Sequence, residues 1–581
     1  MNWFIRTILF LFLAIQFACI NQRPDVDCET YAEANNPDTF VDPLWAKTGR
    51  GLHASIASTN MRYKSNRVPM EVVTKEKHFT AWRGERVSSQ IVLWSVSDIK
   101  QVECEWSAIV SEHGDTIAAE NLQTRFIRYV LSDNYGEGCG SRDKSAGNVS
   151  LRGDLLEELP GMQLAANTVR PMWLNIDVPR DVTPGIYRTS LFIYSHKNSP
   201  QELRFTMEVL EHTLPEPSDW NFHLNLKQDP LAIADWHRVE AWSEEHFEQM
   251  RPYYALLALA GQKGVSCDLF ETLSKDTRNG QKALVSCKQL KNGKWQFNYS
   301  NFEQWIEYMN EIGIDAYINV FSLYPKSGVL NYYSELTTAI ESINLDTSKL
   351  TDGWLHAFMK DFAGYLKQKA WFDKTSLVIE DTRNEHLNLI VAANTETEAN
   401  FSLNLAAYKY HPEALDYVNH IAMSPQYILV DDIIKERRSV NKKTSLVITC
   451  ENERPNLFTF SEPAEASWLA WYAALHGLDG LYYESFNVWE EEPYIDSRTD
   501  SKPAGADYLI YPGAKSSIRF ERLIEGIQDY EKIRLLSKGF NPDQKGELND
   551  VLSRFSLSGI NTEPAHVTVD RARLVLENLA K

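Results

Sequence analysis

Residues 376–386 read Ser-Leu-Val-Ile-Glu-Asp-Thr-Arg-Asn-Glu-His, a short apolar run that ends in two adjacent acids and gives way to a polar segment. Four apolar or small residues in a row are too few for a buried helix, so the run reads as a strand covered on both faces. Seven further runs of this kind begin near Phe222, Val265, Ala316, Ser402, His420, Ser445 and Gly480, separated by longer helical patterns such as 243–260, 354–369 and 463–475. Eight such units over some 300 residues describe a (β/α)8 TIM barrel, whose active site is built where the strands run out at their C-terminal ends. Functional residues are therefore sought directly after the runs. Two longer stretches, 271–299 after the second run and 489–518 after the eighth, lie on that same side. From Arg519 onward the pattern is helical to the end.

Ahead of the barrel the rhythm differs. From Leu44 to Val209 short apolar or aromatic runs alternate with turn residues, as in Gly185-Ile186-Tyr187-Arg188-Thr189-Ser190-Leu191-Phe192-Ile193-Tyr194, which predicts an antiparallel β-sandwich. Pro215 and Pro217 then disfavour both helix and ladder, and mark the boundary. The resulting division is a sandwich over 44–213, a barrel over 218–535 and a C-terminal helical segment over 536–581. At the start, Arg6 precedes the apolar stretch Ile8 to Ile15 and Ala18 precedes Cys19, so residues 1–18 read as a secretory signal peptide. Cys19 is then placed to carry a lipid at the head of a linker over 19–43, or is an incidental cysteine behind an ordinary leader. Both readings place the protein outside the cytoplasm, and the first anchors it to the cell envelope.

The chain has 59 basic and 79 acidic residues and a net charge of −20, which repels phosphates and argues against a nucleic acid partner. A neutral, polyhydroxylated ligand suits this balance better. The seven cysteines include no CxxC pair, and no His cluster has metal-ligand spacing, so no metal site is expected. Cys104 with Cys139, or Cys267 with Cys287, are candidate disulfides; unpaired buried cysteines are the alternative.

Paired carboxylates are what glycosidic cleavage uses, one to protonate the leaving oxygen and one to stabilise positive charge at the anomeric carbon. Glu380 and Asp381 form such a pair; the same acids also suit the N-terminus of the following helix. The eighth run ends Tyr482-Tyr483-Glu484-Ser485-Phe486-Asn487-Val488-Trp489, which combines aromatic faces with a carboxylate and an amide. Trp489 is read as a sugar platform, against ordinary core packing, and Glu490 to Glu492 as a solvated loop edge. Tyr324, Arg383, Tyr483, Glu484, Asn487 and Arg498 complete the candidate substrate-binding set.

The segments 458–468 (Phe-Thr-Phe-Ser-Glu-Pro-Ala-Glu-Ala-Ser-Trp), Asn487-Val488-Trp489, Tyr511-Pro512-Gly513, 516–521 and Glu525-Gly526-Ile527-Gln528-Asp529-Tyr530-Glu531 resemble signatures of glycoside hydrolase family 123. Trp242-Ser243-Glu244-Glu245-His246, Gly261-Gln262-Lys263 and Gly84-Glu85-Arg86 are similar to that family's barrel start and N-terminal sandwich. The resemblance implies an exo-acting β-N-acetylgalactosaminidase without metal or cofactor, in which the substrate's own acetamido oxygen attacks the anomeric carbon. An Asp orients the acetamido group and the adjacent Glu is general acid and base. Here that pair maps in two ways, as a reversed Glu380-Asp381 or as Asp381-Thr382 with the acid replaced. Lys227 stands where Trp is expected, Tyr483-Glu484 where Arg-Trp is expected, and the Pro-Trp expected after the second run is missing. Either the pocket has been rebuilt for another glycan, with Glu380, Asp381 and Glu484 sharing the acid work, or a glycan-binding protein without catalysis remains; the first is the primary expectation, with Glu380 holding the acetamido group and Asp381 as acid and base.

Overall fold

A computed structural model of the chain describes residues 31–70, 73–133, 139–140, 149–195, 198–270, 282–321, 323, 329–344, 353–380, 384–407 and 412–581. The predicted signal peptide and the lipidation residue Cys19 lie outside the described residues, as do Tyr324, Asp381 and Arg383. Among the described residues no helix is long and apolar enough to cross a membrane.

The N-terminal domain packs two sheets. One holds five strands in the order His53–Ala57, Arg86–Ser95, Thr168–Asp177, Leu122–Ser132 and Ser150–Glu157. The other has seven, with Glu76–Arg83, Asn198–Thr213, Gly185–Ser195, Ile99–Trp106 and Met162–Leu164 along its main path. Alternation fills the space between them: Ile91, Leu93 and Met172 from the first sheet meet Leu191, Ile193, Leu203 and Phe205 from the second. All pairings are antiparallel except that of Glu76–Arg83 with Asn198–Thr213, which run parallel at the sheet edge.

The barrel strands are β1 (His223–Leu226), β2 (Gly264–Asp268), β3 (Tyr317–Phe321), β4 (Thr375–Glu380), β5 (Ser402–Ala407), β6 (His420–Met423), β7 (Lys443–Ile448) and β8 (Gly480–Tyr483). The helices between and after them are α1 (Pro230–His237), α2 (Glu244–Leu259), α3 (Ser300–Ile312), α4 (Trp354–Gln368), α5 (Asn384–Glu396), α6 (Asp431–Ser439), α7 (Pro463–His476) and α8 (Ile518–Leu536). Three more helices, α9 (Pro542–Leu552), α10 (Leu557–Ile560) and α11 (Ala565–Leu579), end the chain. Between β5 and β6 the described residues hold only a 3-10 turn, Pro412–Ala414, in place of a helix.

The ladder runs unbroken and parallel from β2 through β3 to β8 and on to β1. Between β1 and β2 the backbone pairing shrinks to a single parallel bridge, Leu224 with Gln262, and side chains supply the rest. Gln262 Oε1 accepts from the Leu226 N–H at 2.8 Å and its Nε2 donates to the Gly264 carbonyl at 2.7 Å, while Gln228 Oε1 accepts from the Ser266 N–H at 2.7 Å. Two glutamines thus satisfy strand-edge groups that a backbone ladder would otherwise pair.

Local sequence sets the helix ends. Ser243 and Ser517 cap α2 and α8 by accepting from His246 N–H and Phe520 N–H. α7 and α8 pack closely because Gly526 faces Ser467; a Cβ there would sit 2.7 Å from the Ser467 Cα. The insertions after β2 and β3 combine into one four-stranded sheet, Trp295–Asn298, Ser286–Gln289, Val329–Ser334 and Ala339–Asn344, whose central pair is parallel.

The two domains share a buried ionic seam. Asp154 of the sandwich receives Arg519 Nη2 at 3.0 Å, Arg62 Nη2 at 3.3 Å and the Tyr511 hydroxyl at 2.8 Å, and Glu521 receives Arg125 Nη2 at 3.0 Å. The C-terminal helix returns to the sandwich, where Asn60 Nδ2 donates to Asp570 at 2.7 Å. Neither disulfide read from the sequence forms. Cys139 pairs instead with Cys450, 311 residues on, while Cys104, Cys267 and Cys287 are free. Cys104 sits in a sandwich strand with Sγ 3.8 Å from Met172 Sδ, and Cys267 points from β2 into the helix layer. The true partner, beside the end of β7, is distant in sequence and near only once both domains have formed.

Candidate active site

Strand parity decides which side chains enter the barrel. Leu377 and Ile379 of β4 pack beneath the helices, whereas Val378 joins Phe321, Ala406, Ala422, Val447 and Tyr482 in the barrel interior. Glu380, two residues beyond Val378, therefore faces inward at the C-terminal end of β4. There its Oε1 accepts from the Tyr482 hydroxyl at 2.9 Å and its Oε2 lies 3.2 Å from Lys227 Nζ.

Lys227 follows the last residue of β1 and is buried. Its ammonium also lies 3.2 Å from Asp268 Oδ1 at the end of β2, and 4.4 Å from the centre of the Phe321 ring at the end of β3. Phe321 in turn stacks on Tyr482, with 5.9 Å between ring centres. Burial works against the Lys227 charge, but Asp268 and Glu380 outweigh it and hold the amine above its ordinary pKa. The floor of the mouth is therefore a permanent cation between two carboxylates. Asp268 and Tyr482 were not singled out from the sequence, although Asp268 ends its run as Glu380 does and Tyr482 has the inward parity of β8.

Beside this group Asp229 caps α1, with Oδ1 accepting from the Ala232 N–H at 3.0 Å. Its Oδ2 is buried without a hydrogen-bond partner among the described residues, and burial pushes its pKa up to about 6. Asn487 holds the Asp229 backbone from both sides, accepting its N–H at 3.0 Å and donating to its carbonyl at 2.7 Å.

The other residues proposed from the sequence support the wall. The Tyr483 hydroxyl is buried and donates to the Ala506 carbonyl at 2.8 Å. Glu484 lies 3.1 Å from Lys502 Nζ, and Arg498 Nη2 is 2.8 Å from Asp496. Trp489 is half-buried; its indole N–H donates to the Ile510 carbonyl at 2.8 Å and its ring packs against Trp236 and Tyr253. Among the described residues no group of three or more His, Cys, Asp or Glu side chains is arranged to hold a metal ion.

The fold matches a family 123 glycoside hydrolase from Clostridium perfringens, described in connection with glycolipid glycan hydrolysis, with a TM-score of 0.80 and 22% identity over 91% of this chain and 98% of that one. At that identity the likeness is one of fold. A glycoside hydrolase family 5 xyloglucanase of Bacteroides ovatus (9% identity, 82% of this chain and 100% of that one, TM-score 0.27) and a maltogenic α-amylase of Thermotoga neapolitana (11%, 55% and 77%, TM-score 0.29) are too different to bear on this chain. No curated protein sequence matches it. The family model "Glycoside hydrolase 123 N-terminal domain" matches residues 56–195 and "Glycoside hydrolase 123, catalytic domain" matches residues 228–536, more than half of the sequence, so the chain belongs to glycoside hydrolase family 123.

Proposed function

We propose that this glycosidase is exported and removes β-linked N-acetylhexosamine of the N-acetylgalactosamine type from the non-reducing ends of glycans, cleaving an O-glycosyl bond by substrate-assisted retention. The observation that carries this reading is the inward Glu380 carboxylate, fixed by Tyr482 and Lys227 at the end of β4. A carboxylate so fixed suits the task of accepting the acetamido N–H, which turns the acetamido oxygen toward the anomeric carbon. Asp381 then protonates the leaving oxygen and later takes a proton from the incoming water. Among the described residues, Asp268 and Glu380 outnumber the Lys227 ammonium, a balance that favours the positive charge developing on the sugar ring.

Export rests on the leader read in residues 1–18 and is supported by the Cys139–Cys450 disulfide, a bond suited to an oxidising compartment. Lipidation at Cys19 would tie the protein to the cell envelope, so that its partners are a glycan and a membrane through the anchor, with no cofactor needed for the chemistry. One observation favours a second reading, a glycan-binding protein without catalysis: the Lys227 ammonium neutralises the carboxylate that should attend the acetamido group.

The test is turnover of an aryl β-N-acetylgalactosaminide beside the matching aryl β-galactoside. The proposal expects release only from the acetamido substrate, with kcat lowered on the order of a hundredfold in Asp381→Asn. Equal release from both substrates sinks substrate assistance, and unchanged kcat removes Asp381 from the mechanism. Saturable binding without any release selects the second reading.

A further inference from the structure

Away from the barrel mouth, the sandwich edge strand Glu76–Arg83 faces α8 and α11 across a cleft of 320 Å³. That volume falls in the range of small-molecule sites, roughly 300–1,000 Å³, and a domain junction is where such sites recur. Its wall carries carboxylates and basic side chains in near-equal number.

Most of these charges are already satisfied. Arg573 binds Asp529 and Glu525 at 2.7 Å each, Lys532 pairs with Glu85, and Arg86 binds Asp177 at 2.6 Å. Lys77 is different. Its Nζ has the Ser89 hydroxyl at 3.2 Å and the Phe79 ring centre at 4.7 Å, and it meets no carboxylate among the described residues. Among the described residues, on the opposite wall, the Glu577 side chain has no hydrogen-bond or ion-pair partner and Asp570 accepts only from Asn60. Burial brings the Lys77 amine down to about 8 and holds the Glu577 carboxyl above its usual value, as expected of charged groups taken from water without an ion-pair partner in contact.

A ligand here meets spare donors on one wall and spare acceptors on the other. A net anion would gain at Lys77 and lose at Glu577 and Asp570; a net cation would do the reverse. A neutral ligand rich in hydroxyls uses both, because each hydroxyl donates to a carboxylate and accepts from an ammonium. Phe79 and the exposed Leu574 add apolar surface for C–H faces. We propose that this cleft is a second, non-catalytic site for a neutral sugar of mono- or disaccharide size, with Lys77, Asp570 and Glu577 as its polar contacts.

Isothermal titration of the full mature chain with methyl β-galactoside and lactose, and with galacturonate and galactosamine as charged counterparts, tests this. Lys77→Met and Glu577→Gln should each weaken the neutral sugars by about tenfold or more, while turnover at the barrel mouth stays at its unmutated level. The charged sugars should bind about tenfold more weakly than the neutral ones. Equal affinity in both variants overturns the site, as does the absence of saturable binding by either neutral probe or tighter binding of a charged one. Should Lys77→Met fail to fold, Glu577→Gln, on a partly exposed face of the last long helix, decides alone.

Discussion

Replacing Lys227 with Met removes the cation from the barrel floor and leaves Asp268 and Glu380 facing each other. Side-chain exposures of 8, 17 and 13% for Lys227, Asp268 and Glu380 mark the group as buried, so the pairing is weakly screened. At 3.2 Å and an effective dielectric of about 20, each contact is worth about 5 kcal/mol before desolvation. Breaking such a pair while its acids stay behind costs about 3–5 kcal/mol net. At about 2 °C per kcal/mol for a domain of this size, calorimetry should find the barrel transition lowered by about 6–10 °C at pH 7. The pH dependence carries a sign. In the parent protein the raised Lys227 pKa contributes stability that is fully present below its unfolded value, about 10.5, and is lost only as pH rises through the higher folded value. Between pH 7 and 5 that contribution is therefore constant. In the variant the two carboxylates repel each other, and protonating either one relieves that repulsion. The deficit should accordingly narrow at about pH 5. A variant as stable as the parent at pH 7, or a deficit that stays constant at pH 5, refutes the argument.

Tyr482→Phe deletes one hydrogen bond to a charged acceptor, worth about 1.5–3 kcal/mol, and should lower kcat on the acetamido substrate by about 10–100-fold without unfolding the barrel; unaltered kcat separates Glu380 from the chemistry. Asp229→Asn keeps the cap and removes a carboxyl whose pKa rises from 3.8 to about 6, so thermal scans at pH 8 should show the variant up to about 3 kcal/mol more stable, with the gain fading as pH falls from about 6 to about 4. Cys450→Ser opens a cross-link between residues 311 positions apart and should cost about 2–5 kcal/mol, read as a lower melting temperature that reducing agent reproduces in the parent and leaves unmoved in the variant.

The architecture was legible because parallel strands buried on both faces write short apolar runs into the chain, and all eight runs became barrel strands. What stayed hidden depended on long-range approach. The hairpin Val329–Ser334 with Ala339–Asn344 has an exposed face with weak apolar alternation, and its parallel pairing with Ser286–Gln289 joins two separate loops. Cys450 carries no local sign of its partner. At the barrel mouth, the inward position of Glu380 is legible from its place at a strand end, whereas Tyr482 is masked by aromatic neighbours, Tyr483 and Trp489, that read equally well as sugar contacts. Lys227 was noticed only as a departure from a family pattern, and its meaning needed the two acids that three dimensions bring to it.

The glutamine-bridged gap between β1 and β2 has a further consequence. Lys227 and Asp268 stand on opposite banks of it, where one backbone bridge and two amide side chains take the place of a continuous hydrogen-bonded ladder with its 4.7–4.9 Å spacing. Amide torsions yield more readily than a continuous ladder does. Gln228 and Gln262 thus bear on the width of the floor between Lys227 and Asp268, and shortening either one to asparagine is a means of adjusting that width while leaving every acid in place.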